Sequence, residues 1–206
     1  MANYRKKKIL FSIIIEDKSP ISNFSLKNLP ESKMDLVARC LLTIFPKYTQ
    51  KIEPYFNTFF SKDKVLLEVF DLAERNLPYD ELEIASMVMA KINTLAESEI
   101  QSSASEDEKI TWRKEENFQA YLTSLKRKYG AIYYLHENGI PLSKTINEMK
   151  LQNSICFILG GRKDISSENE SIIDNFGIKR ISLGNTSYLS STSIIFTLYE
   201  LEKSSR

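Results

Sequence analysis

Apolar and polar residues alternate in blocks along the chain, and each block has a period that identifies it. Residues 9–15 (Ile9-Leu10-Phe11-Ser12-Ile13-Ile14-Ile15) form one nearly unbroken apolar run. It is far shorter than the ~20 residues of a membrane-spanning helix and reads as a strand buried on both faces. A basic stretch, Arg5-Lys6-Lys7-Lys8, precedes it, but Glu16-Asp17 follow without a small-residue cleavage site, so the run does not read as a secretory leader. Residues 17–31 are polar, carry two prolines and read as a long loop.

Helical spacing begins at Met34 and continues through Ala38, Leu41, Leu42 and Phe45, with Ser32 as the expected N-cap and Asp35 three residues later. Residues 53–60 and 64–70 are short aromatic and β-branched runs that read as strands, with Phe56–Phe60 as core. Leu82, Ala85, Met89 and Ile92 mark a second helix face. Residues 97–109 are rich in Ser and Glu and read as a flexible insertion. A third helix carries Phe118, Leu122, Leu125 and Tyr129 and stops at Gly130, with Trp112 expected to pack at its start. Ala131–His136 reads as a strand, Glu137-Asn138-Gly139 as a turn, and 154–159 as the next strand. Ser167-x-x-Glu170 is a capping box for a helix with Ile172, Ile173 and Phe176 inward and Gly177 just past its end. A last strand at 178–183 precedes a final helix that starts near 187–189 and turns Ile194, Ile195, Leu198 and Leu201 inward. Helices alternating with apolar strands predict an α/β fold with a mostly parallel sheet, here one domain over residues 1–206.

Two of these strands end in leucine-glycine, at Leu159-Gly160 and Leu183-Gly184. Glycine at the carboxyl end of a buried strand admits a ligand close to the backbone, and open α/β sheets bind ligands at that edge. Cys40 and Cys156 lie in apolar surroundings with no metal-ligating neighbours. They read as buried free thiols, which fits a cytoplasmic protein without a structural metal or a membrane segment. The net charge of +1 excludes a uniformly basic nucleic-acid binder and leaves local patches at Arg5–Lys8, Lys126–Lys128, Arg162-Lys163 and Lys179-Arg180.

Several segments together resemble a known family. Phe24-Ser25-Leu26-Lys27-Asn28-Leu29-Pro30 followed by Met34-Asp35-Leu36-Val37-Ala38-Arg39-Cys40-Leu41, then Leu77-Pro78-Tyr79-Asp80-Glu81, Tyr134-Leu135-His136-Glu137-Asn138-Gly139, Phe157-Ile158-Leu159-Gly160 and Ile181-Ser182-Leu183-Gly184, keep the order seen in archaeal tRNA pseudouridine N1-methyltransferases. This is the TrmY family of the SPOUT superfamily. The resemblance implies a SPOUT-like α/β knot, with a C-terminal trefoil knot, and a homodimer. It implies transfer of a methyl group from S-adenosyl-L-methionine to N1 of pseudouridine at position 54 of the tRNA T-arm. It also implies that Leu135, Gly160, Ser182, Leu183, Gly184, Leu189 and Ser193 line the cofactor pocket. Leu159 belongs to the same apolar wall.

Methyl transfer to nitrogen needs an aligned nucleophile and an exit for its proton. Asp35 is the candidate base or orienter, and Arg39, one turn on, its partner or a phosphate ligand. The alternatives are a helix-capping acid and a surface ion pair. His136, the only histidine, reads as a structural imidazole, and Tyr188 as either packing or a substrate contact. Three positions depart from the family pattern: Gly161-Arg162 stand where Asp-His is usual, Ser32-Lys33-Met34 where Gly-Gly-Arg precedes the aspartate, and Leu189–Ser193 where His-x-x-His-Cys is usual. An arginine at 162 facing a sulfonium would weaken binding electrostatically. The same chemistry on rRNA, or a non-catalytic RNA-binding dimer of this fold, are the competing readings.

Overall fold

A computed structural model describes residues 6–17, 25–44, 51–69, 80–97 and 110–204. Its centre is a seven-stranded sheet, β1 (Lys7–Ile15), β2 (Ile52–Phe60), β3 (Val65–Val69), β4 (Ile110–Lys114), β5 (Ala131–Pro141), β6 (Ser154–Gly160) and β7 (Lys179–Ser182), in the order β4-β3-β2-β1-β6-β5-β7. The pairs β1–β2, β1–β6, β5–β6 and β5–β7 are parallel, while β2–β3 and β3–β4 are antiparallel. The mostly parallel α/β architecture expected from the alternation is therefore present. The parallel strands all end on one edge of the sheet.

β1 is the hub. Every residue from Ile9 to Ile15 is buried, because helices cover both faces. Ile9, Phe11, Ile13 and Ile15 point to one core together with α2 (Met34–Ile44), α3 (Glu81–Glu97) and α7 (Ser190–Lys203). Leu10 and Ile14 point to the other, with α4 (Phe118–Lys128) and α6 (Ser167–Asn175). Phe11 stacks on Phe157, its register partner across β6, at 5.6 Å between ring centroids. Ser12 is the one polar residue in the β1 run. Its hydroxyl meets the Tyr121 hydroxyl at 2.5 Å, and Tyr121 in turn donates to Asn57 Oδ1 at 2.9 Å. Burial pushes the Tyr121 phenol well above its usual range, with the hydrogen bonds acting in the opposite sense, so it stays a donor.

Several expectations need correction. Residues 17–31 are not wholly loop: a 3₁₀ turn (Leu26–Asn28) leads into α1 (Leu29–Ser32), for which Pro30 supplies a preset φ. Ser32 ends α1 rather than capping α2, and Lys33, at φ 64°, makes the break between them. The α3 face buries Ile84, Ala85 and Val88, whereas Leu82 is exposed. Trp112 does not start a helix but sits on β4, where antiparallel pairing with Leu67 places it against the core. The helix α5 (Leu142–Lys150), which has only Leu142, Thr145 and Met149 buried, carried too weak an apolar signal to be expected. Ser166, not Ser167, caps α6, and Ile195 on α7 faces solvent. Gly177 does end α6 with φ 66°. The insertion expected at 97–109 lies outside the described residues beyond Glu97, as does the Leu77-Pro78-Tyr79 motif.

Tyr121→Phe keeps the ring stacked on Phe59, 4.9 Å away, but strips two buried partners of their hydrogen bond. The variant is expected to lose about 1–3 kcal/mol in denaturant unfolding with an unchanged slope.

Candidate active site

The carboxyl ends of β5, β6 and β7 and the start of α7 enclose a cleft of about 260 Å³. β6 contributes Leu159 and then Gly160, Gly161 and Arg162 in the turn that leaves it. Space favours glycine at 160. A Cβ there would lie 3.2 Å from the Lys163 carbonyl, which folds back over it. β7 contributes Leu183 and Gly184. The Ser182 hydroxyl donates to the Gly184 carbonyl at 2.7 Å and accepts from the Gly184 amide at 3.0 Å, which pins this turn. Gly184 sits at φ 136°, a conformation that favours glycine, and a Cβ at that position would stand in open space.

The third wall is a detour in β5. Leu135 and Ile140 both pair with Ile181 of β7, so His136–Gly139 leave the sheet and return to it. Gly139 makes this possible, because a Cβ there would fall 2.5 Å from the Ile181 backbone. The detour is held by the Asn138 amide donating to His136 Nδ1 at 3.1 Å. Behind it Tyr134 donates to Glu170 at 2.9 Å, and His136 Nε2 lies 3.6 Å from the same carboxylate. The expected turn at Glu137-Asn138-Gly139 is thus a bulge within a longer strand, and His136 shapes the lip of the cleft. The fourth wall is Thr186–Ser190 with Ser193, and the Ser190 hydroxyl donates to the Gly160 carbonyl at 2.8 Å.

Of the residues expected at a cofactor pocket, Leu135, Gly160, Leu183, Gly184, Leu189 and Ser193 line this cleft. Ser182 does not. It lies behind the wall and borders a neighbouring cleft of about 490 Å³. Asp35 and Arg39 also stand outside the lining. Asp35, 4% exposed at the start of α2, pairs through Oδ2 with the Arg162 guanidinium, which does line the cleft. Arg39 lies 3.6 Å from the same oxygen but is bonded chiefly to Glu81 at 2.8 Å. That bond and the nearby carboxylates raise its pKa further. Asp35 Oδ1 is buried with no hydrogen-bond partner. Arg162, expected to confront a sulfonium, is therefore paired with a buried carboxylate, while Glu137 and Asp164 add acidic groups to the lining. The contributions of Tyr134, Glu137, Asp164, Thr186 and Ser187 went unforeseen, because a strand detour and an irregular loop leave no periodic signal. Among the described residues no cluster of His, Cys, Asp and Glu could hold a metal ion, and no helix is long and apolar enough to cross a membrane.

The cleft combines glycine turns at 160 and 184, an apolar wall of four leucines, and acidic groups in its lining. It is near the lower end of small-molecule site volumes, and a nucleoside-like ligand with a positive centre fits this donor and acceptor set.

Comparison with known proteins agrees. A stretch of 72 residues is 38% identical to a protein of Thermococcus gammatolerans named tRNA (pseudouridine(54)-N(1))-methyltransferase, covering 35% of this chain and 33% of that one. A protein of the same name from Pyrococcus abyssi is 24% identical over 206 residues, covering 94% of this chain and 97% of the other. The crystal structure of Archaeoglobus fulgidus Nep1 bound to S-adenosylhomocysteine superposes with a TM-score of 0.60 at 14% identity, over 96% of this chain and 98% of that one, so the two share a fold. A family model described as "Putative SAM-dependent RNA methyltransferase" matches residues 10–205, and across that span the chain belongs to this family of S-adenosylmethionine-dependent RNA methyltransferases.

Proposed function

We propose that the chain transfers a methyl group from S-adenosylmethionine to N1 of pseudouridine at position 54 of tRNA, as a cytoplasmic homodimer forming one methyltransferase unit. The observation that carries this reading is the meeting of three strand ends, Leu135, Leu159-Gly160 and Leu183-Gly184, with the start of α7 around one cleft. The full-length relative named for tRNA pseudouridine-54 methylation favours tRNA over rRNA.

When bound, S-adenosylmethionine supplies an electrophilic methyl group on a positively charged sulfur. The turns at Gly160 and Gly184 would let the adenosyl group approach the backbone, where each glycine carbonyl keeps one lone pair beyond its serine hydroxyl, and Leu135, Leu159, Leu183 and Leu189 would exclude water from it. Glu137 and Asp164 offset the positive sulfur. Arg162 stands at the mouth with N–H groups beyond those given to Asp35. It donates to a carbonyl of the incoming base and stabilises the negative charge that grows as the N1 proton passes to solvent water at the open side of the cleft. Asp35 acts through Arg162 as a positioning residue, held in turn by Arg39 and Glu81. The C-terminal segment is taken to thread in the family's knotted manner, and the start of α7 lies against the Gly160 carbonyl.

The dimer forms through the outer face of α7. Ile195, Phe196 and Tyr199 are exposed there, and Tyr188 packs edge-on against Phe196 at 5.2 Å. This apolar strip borders the neighbouring cleft through Tyr188 and Phe196, and Tyr188 also belongs to the active-site wall.

Three outcomes test the proposal. Calorimetry on the full chain shows saturable S-adenosylmethionine binding, and incubation with tRNA yields N1-methylpseudouridine. Silence up to millimolar cofactor, or methylation of rRNA alone, refutes it. Asp35→Asn retains cofactor affinity and slows transfer on the order of 10–100-fold, mainly in kcat. Equal rates would return Asp35 to a purely structural role. Phe196→Glu shifts the chain to monomer in sedimentation, and an unchanged mass would move the interface elsewhere.

A further inference from the structure

Four basic stretches compete as the surface that meets RNA, and the topology separates them. Lys7 and Lys8 open β1, Lys126–Lys128 close α4 just before β5, and Lys179-Arg180 open β7, so all three stretches lie on the edge where the parallel strands begin. Most of these cations are also engaged. Lys7 donates to the Met149 carbonyl, Lys126 to the Phe176 carbonyl, Lys179 to Glu148, and Arg180 to Asp174. Arg162-Lys163, by contrast, follows β6 on the edge where the strands end, beside the cleft.

At that edge two further lysines join Lys163 from distant parts of the chain. Lys163 Nζ is 3.6 Å from Asp17 Oδ1, Lys62 Nζ is 3.9 Å from the same oxygen, and Lys33 Nζ is 3.9 Å from Asp17 Oδ2. Lys62 follows β2, Lys163 follows β6, and Lys33 stands at the left-handed break before α2. Three ammonium groups thus crowd one carboxylate, and all three separations exceed hydrogen-bond length, so their N–H donors are not spent on it. Among the described residues Glu16, next in the chain, is bonded to other groups and not to these lysines. It accepts from Ser61, the Ser166 amide and hydroxyl, and Asn169. Counting Glu16 together with Asp17, three lysines here face two carboxylates. The cluster adjoins the cleft directly: the Lys163 carbonyl covers Gly160, and Gly161 packs against Ile15 at the end of β1, just before Asp17, and against Leu36 in the first turn of α2, just after Lys33.

We infer that Lys33, Lys62 and Lys163 form a rim that binds phosphates of the RNA backbone and seats the target nucleotide over the cleft. Asp17 gathers the ammonium groups at the spacing an incoming phosphate takes over. The inference rests on RNA being the substrate of the cleft and adds where its backbone lies. Point-charge lysines suit this task, because a backbone must be held regardless of sequence.

The test uses the full chain, a synthetic RNA stem-loop and binding measured over a series of salt concentrations. The triple variant Lys33→Gln, Lys62→Gln, Lys163→Gln is expected to make the plot of log affinity against log salt shallower by about 2, at roughly 0.7–0.9 for each phosphate no longer neutralised. The control triple Lys126→Gln, Arg127→Gln, Lys128→Gln keeps the parental slope. S-adenosylmethionine titration of the same samples gives the parental affinity for both triples and shows that they are folded. A parental slope in the rim triple, or a slope change in the control triple instead, overturns the inference while leaving methyl transfer standing. RNA binding with the expected slopes but without cofactor binding supports the rim and refutes methyl transfer.

Discussion

Parallel pairing of β1 with β6 is the constraint on which the rest depends. It joins a strand near the beginning of the chain to one in its last third, and it brings Ile14 opposite Gly160. With β5 and β7 added in parallel, every strand of this group ends at the same edge, and the residues that follow each end have nowhere to go but around one cleft. Burial on both faces makes the pairing specific. A slip of one residue would exchange the Phe11 side with the Leu10 side and force Ser12 away from Tyr121.

The electrostatic design at the cleft follows from this arrangement. An arginine beside a site for a cationic ligand is costly in isolation. Here the buried carboxylate of Asp35 answers it, and a chain of alternating charge runs on through Arg39 to Glu81. The guanidinium is thereby directed rather than merely present, and the acidic residues of the lining keep the local balance suited to a positive sulfur.

Much of this was legible in the sequence wherever one face of an element is buried. Strands 9–15 and 154–159 announce themselves because they are covered on two sides, and the Leu-Gly endings after β6 and β7 point to the edge where the cleft lies. What escaped had mixed or interrupted patterns. β4 alternates Ile110 and Trp112 with charged residues at its outer end, and α5 buries only three side chains. The detour at His136–Gly139 is a departure from periodicity, so no periodic reading could place it. Asp35 was expected to pair with Arg39, and in the structure Arg162 is its nearer partner. That partnership spans 127 positions and exists only once β6 lies beside β1.

The bond from the Ser190 hydroxyl to the Gly160 carbonyl has one more consequence. It ties the docking of the last helix to the same carbonyl edge that borders the ligand. Occupancy of the cleft and closure of the C-terminal helix are therefore linked equilibria, and a ligand at 100 times its Kd would hold that helix down by about 2.7 kcal/mol. Exchange of the amides in α7 would slow as cofactor is added.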